Sequence, residues 1–127
     1  MDRQVPDSEC KGLLLVADLM FASQVQGLVR SCNITLQWVR SVEQALERAT
    51  ADAPACLVFD VNLVGEGIDD LVAKLRANPR PPVLIGFGAH VDAASLQRAR
   101  QAGCKIVLPR SKFVQEVGRC LPQWLQD

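Results

Sequence analysis

The chain has 127 residues, 49% apolar and 22% charged, which suits one folded domain with a real core rather than a disordered chain. Fourteen Lys and Arg balance fourteen Asp and Glu, and that argues against a nucleic-acid clamp or an acidic-membrane binder, both of which need a basic excess. The longest apolar run spans about six residues near Leu13–Ala17, far short of the roughly 20 a membrane-spanning helix requires, and Met1-Asp2-Arg3-Gln4 lacks the apolar core of a secretory signal.

Residues 1–11 read as a tail and residues 12–127 as a single domain. Gly12–Ala17 is a continuous apolar run ending at Asp18, the pattern of a strand buried on both faces. Phe21, Val25, Leu28, Val29 and Cys32 follow at helical spacing. Ile34–Val39 alternates as a less buried strand, and Ser41-Val42-Glu43-Gln44 has the form of a capping box opening a helix that ends at Ala53-Pro54. Ala55–Asp60 is a second strand buried on both faces, again ending on an acid. Ile68, Leu71, Val72 and Leu75 mark the next helix, stopped by Asn78-Pro79-Arg80-Pro81-Pro82. Val83–Gly88 is a fourth strand. Asp92 caps a helix through Leu96, Ala99 and Ala102 that Gly103 ends. Ile106–Pro109 is a fifth strand, and Phe113, Val114, Val117 and Leu121 form a last helix, kinked or ended near Pro122. Five strand–helix units with short connections predict a parallel sheet covered on both faces. Ligands of such sheets bind at the carboxyl ends of the strands.

The cysteines, at 10, 32, 56, 104 and 120, are never closer than 16 residues and form no C-x-x-C pair, so neither a disulfide framework nor a zinc site is expected, His90 being the one imidazole available to a metal. Cys56 reads as core filler. A reducing, cytoplasmic setting is the default.

The strand ends carry Asp18, Asp60, Phe87-Gly88 and Leu108-Pro109. Here the sequence resembles the receiver domain of two-component response regulators over almost its whole length. Leu14–Asp18 fits that family's first strand, Val58-Phe59-Asp60 fits the third, and the stretch from Asp60 to Ala77 runs without a gap. The resemblance implies a flavodoxin-like, doubly wound α/β fold, with five parallel strands in the order 2-1-3-4-5 and five helices. It also implies that Asp60 matches the phosphoacceptor, Asp18 a direct magnesium ligand, and Asn62 the residue whose backbone carbonyl completes the metal site. Several departures bear on chemistry. Ala17 replaces the first acid of the pair, Phe87 stands in place of the phosphoryl-binding hydroxyl, and Leu108 in place of the pairing lysine. Lys105 occupies the usual place of the aromatic switch.

A phosphoaspartate would set close to two negative charges beside Asp18, each unit pair costing about 4 kcal/mol at 4 Å in an effective dielectric of 20. The missing lysine removes an offset of about 1.5–3 kcal/mol and the missing hydroxyl one of about 0.5–1.5 kcal/mol. The expectation is therefore a stand-alone pseudo-receiver that signals through another protein, with aspartyl phosphorylation impaired or absent, no enzymatic activity, and either no cofactor or weakly bound magnesium. A true phosphoacceptor using Asp60 and magnesium is one alternative. A flavodoxin-like nucleotide or flavin binder is another, disfavoured because Asp18-Leu19-Met20-Phe21 offers phosphate neither glycine nor hydroxyl.

Simpler roles stand beside these. Asp18 and Asp60 can each cap backbone amides, and Phe87 either fills the phosphoryl space or points into the core. Arg110, just past Pro109, either swings in for the missing lysine or, the favoured reading, is an exposed loop residue, and His90 reads as a solvated one. Trp124 packs under the last helix or marks a contact. By resemblance, the Leu108–Pro109 bond is a candidate for cis. The face formed by the last two helices and the fifth strand, with His90, Arg98, Lys105, Arg110, Lys112, Glu116 and Arg119, is where a signalling partner or a second copy would dock.

Overall fold

A computed structural model describes residues 10–126. Five parallel strands, β1 (Cys10–Leu15), β2 (Ile34–Val39), β3 (Cys56–Asp60), β4 (Val83–Gly88) and β5 (Ile106–Pro109), form one sheet in the order β2-β1-β3-β4-β5. The main helices are α1 (Leu19–Arg30), α2 (Val42–Asp52), α3 (Ile68–Arg76), α4 (Ala93–Ala102) and α5 (Arg110–Trp124). The predicted doubly wound fold and strand order are those observed.

Alternation along the central strands divides the core into two layers. Leu13, Leu15, Leu57, Phe59, Leu84 and Val107 face α2, α3 and α4. Leu14, Val16, Val58, Ile85 and Phe87 face α1 and α5. Residues 12–16 at β1 and 56–59 in β3 are buried whichever way they point, which is why those segments read as unbroken apolar runs. Gly12 has a packing reason: a Cβ there would lie 2.5 Å from Cys56 Sγ and 2.9 Å from Leu36 Cδ2.

The boundaries follow local hydrogen bonding. The strand expected at Gly12–Ala17 lies at Cys10–Leu15, paired with β2 from Cys10 opposite Ile34 to Leu15 opposite Val39. Val16 and Ala17 leave the ladder so that Asp18 can cap α1, and Trp38 Nε1 donates to the Val16 carbonyl at 2.9 Å. The expected tail therefore gives its last two residues to β1, and residues 1–9 lie outside the described residues. The capping box is formed: Gln44 N donates to Ser41 Oγ at 3.1 Å, and Arg40 N to Gln44 Oε1 at 2.9 Å. Gly103 ends α4 at a φ of 114°, a conformation that glycine adopts without strain.

A local feature departs from the sequence reading. A four-residue helical turn, Val61–Val64, follows Asp60 directly and passes through a 3-10 turn, Gly65–Gly67, into α3. The last helix ends near Pro122 as expected: α5 runs through it and stops two residues later, at Trp124. Proline lacks the N–H that would reach back four residues to the Gly118 carbonyl, and Cys32 Sγ donates to that carbonyl instead. The Leu108–Pro109 bond is trans, since no cis bond occurs among the described residues.

Candidate functional site

Asp18 and Asp60 lie at the carboxyl ends of neighbouring strands β1 and β3. Both cap helical turns. Asp18 Oδ1 accepts from Met20 N at 3.2 Å and Oδ2 from Phe21 N at 3.3 Å, so each oxygen already holds a backbone donor that α1 leaves unpaired. Asp60 Oδ1 accepts from Asn62 N at 2.9 Å.

The second oxygen of Asp60 is taken by Arg110. Nη2 of Arg110, at the first position of α5, lies 3.2 Å from Asp60 Oδ2 in a charged hydrogen bond. The Asp60 side chain is 16% exposed and that of Arg110 47%. The guanidinium carbon sits 4.8 Å from the ring centre of Phe21 and 5.6 Å from that of Phe87, a cation–π seat worth about 0.5–1 kcal/mol at an accessible site. Of the two readings of Arg110, the free loop residue is corrected and the swing toward the place of the missing lysine is the one observed: Arg110 begins α5, and its long side chain reaches the carboxylate two strands away.

Phe87 is opposite Asp60 in the ladder and Leu108 is opposite Phe87. Phe87 is fully buried and stacks on Phe113 at 4.7 Å, with Phe21 at 5.2 Å. Of the two roles open to it, the ring takes the core position. Leu108 is half-buried against the same layer. Ala17 is exposed in the turn before α1. No side-chain hydroxyl or lysine thus occupies the positions opposite Asp60 on β4 and β5.

Asn62 joins the loops. Its Nδ2 donates to Asp92 Oδ2 at 2.5 Å and its Oδ1 accepts from Ala89 N at 3.2 Å. Gly88 permits this approach, since a Cβ there would meet Val61 Cγ2 at 2.5 Å and Asn62 Oδ1 at 3.2 Å. Asp92 also caps α4 through Ser95 N at 3.2 Å. Hydrogen bonds from Ser95, side chain first and backbone second, hold its carboxyl below the usual carboxylate range, with a smaller contribution from the Asn62 amide. The Asn62–Asp92 link and the Phe21 seat were not foreseen. Helical spacing identified Phe21 as apolar, but nothing local in sequence ties it to residue 110.

The remaining expected residues spread along the edge. His90 is exposed in the β4–α4 loop, and Arg98 and Arg119 are exposed on α4 and α5. Lys112 pairs with Glu116 at 3.7 Å within α5. Lys105 is exposed before β5, and its Nζ donates to the Gln126 carbonyl, a cation at a helix C-terminus. Trp124 is half-buried, its ring 6.4 Å from Phe113.

The residues do not fit a divalent cation as arranged. Magnesium is held by oxygen ligands, commonly one or two carboxylates with waters. Here each Asp18 oxygen already accepts from an amide, Asp60 accepts from an amide on one oxygen and from a charged guanidinium on the other, which would repel a second cation, and the position before Asp18 is alanine. Among the described residues no three His, Cys, Asp or Glu side chains gather into a metal-holding group. No helix among them is long and apolar enough to cross a membrane.

No family model and no curated protein matches the sequence. Solved structures do. A response regulator from Thermotoga maritima superposes with a TM-score of 0.80 at 12% identity, covering 94% of this chain and 99% of that one. A response regulator receiver protein from Pseudoalteromonas atlantica gives a TM-score of 0.75 at 15% identity over 91% and 96% of the two chains. A response regulator receiver domain protein from Clostridium thermocellum gives 0.77 at 13% identity over 91% and 94%. Strand order, helix placement and these superpositions agree: the chain has the fold of response-regulator receiver domains.

Proposed function

We propose that this chain is a pseudo-receiver, a signalling module that acts by binding another protein while its aspartate stays unphosphorylated. The observation that carries this reading is the pairing of Asp60 Oδ2 with Arg110 at strand ends whose hydroxyl and lysine positions are Phe87 and Leu108. A carboxylate neutralised by a seated guanidinium is a weaker nucleophile than a free one. A phosphoryl group added there would bring close to two negative charges and would meet neither a neutral donor from β4 nor a cation from β5. The partner surface assigned by this reading is α4, β5 and α5, where Arg98, Lys105 and Arg119 are exposed.

Incubation with acetyl phosphate and magnesium, read by intact mass, tests the proposal. The expected result is an unchanged mass for the native chain. A phosphate-sized gain that disappears in Asp60→Asn would make Asp60 a working phosphoacceptor and overturn it.

A further inference from the structure

We infer that Arg110 is a built-in counter-ion that takes the place of a divalent cation at Asp60 and keeps one out. This rests on reading Asp60 as an unphosphorylated aspartate, and it explains several departures at once. Asp60 ends β3 with one carboxylate oxygen left over from its cap, and that oxygen calls for a cation. The guanidinium supplies one charge to Asp60 directly, at 3.2 Å. It is held in place by the faces of Phe21, from α1, and Phe87, from β4. Phe87, which removes the hydroxyl, therefore also builds part of the guanidinium seat.

A divalent ion entering beside Asp60 would face the positive charge of Arg110 at close range. It would also have to compete with two backbone amides for Asp18. The Asn62 side chain is engaged as well, its oxygen accepting from Ala89 N and its amide donating to Asp92, so only its backbone carbonyl is left to a cation. Arg110 thus governs access to Asp60 directly, through the Oδ2 oxygen it bonds.

The test uses manganese alone as the probe, titrated into the full chain and followed by the loss of the free-ion paramagnetic resonance signal. The native chain is expected to show no saturable binding up to about 1 mM. Arg110→Gln, which removes the charge but keeps a polar side chain, should bind about tenfold more tightly or better. Adding Asp60→Asn to Arg110→Gln should abolish that gain. Phe21→Leu, which keeps the guanidinium and removes one face of its seat, should show a smaller gain. It serves as an independent probe if the Arg110 variant folds poorly. Saturable binding by the native chain that is unaffected by Arg110→Gln overturns the inference, as does a gain in neither variant. The functional reading fails on a different result, phosphorylation of the native chain, so the two failures are distinguishable.

Discussion

At the scale of single residues, the outcome turns on side chains whose meaning depends on what lies across the strand ends. Asp18 and Asp60 are placed by the pattern of an apolar run ending on an acid, and both lie where that pattern puts them, at the carboxyl end of the sheet. What the carboxylates touch was legible only as alternatives. Arg110 follows Pro109 directly, and a local reading leaves it either in the place of the missing lysine or as an ordinary loop cation. Its reach to Asp60, 50 residues away in sequence, exists only once β3, β4 and β5 are in register. Phe87 shows the same limit, since an aromatic in the fourth-strand position is compatible with an occluded pocket and with a core ring. Stacking on Phe113 and Phe21 decides for the core. Phe87→Ala is accordingly expected to cost about 3–5 kcal/mol in urea denaturation, well above what loss of the Arg110 contact alone would remove. A cost below about 1 kcal/mol would show that the ring is not packed as described.

At the scale of elements, helix starts were read well because capping is local chemistry. Ser41 and Asp92 each accept from an amide two or three residues inside the helix they begin. Element ends were read less evenly, because they answer to distant partners. β1 is shifted by its ladder with β2; the end of α5 near Pro122 was read correctly, and Cys32, on the neighbouring segment after α1, donates to the carbonyl that the proline cannot reach. The α4 cap yields a pH prediction. Ser95 holds the folded-state pKa of Asp92 below its ordinary value of 3.8, so the unfolded chain binds the proton first as acid is added. The stability this contributes is fully present above the ordinary carboxylate pKa and is lost as pH falls through the depressed folded value. Asp92→Asn keeps a capping oxygen but does not titrate. Its urea midpoint is therefore expected to fall less steeply than that of the native protein below about pH 4; parallel acid profiles would refute the assignment.

At the scale of the whole molecule, the fold was legible because every strand of the sheet's centre is buried on both sides and every helix is amphipathic. Such alternation leaves few topologies other than a doubly wound parallel sheet. Function was legible only as a set of positions. Strand ends converge on one crevice, and sequence alone lists the residues around it without saying which are bonded to one another. The account therefore stands on one coupling, between the carboxylate of β3 and the guanidinium of α5. A double-mutant cycle on Asp60→Asn and Arg110→Gln, with stability measured by urea denaturation, reads it most directly. Asp60→Asn retains an oxygen to accept from Asn62 N, so the cap largely cancels in the cycle. With one partner nearly half exposed, the expected coupling is about 1 kcal/mol in favour of the pair. A coupling within about 0.3 kcal/mol of zero, the two substitutions simply adding, would mean that Arg110 does not hold Asp60 and would contradict the account.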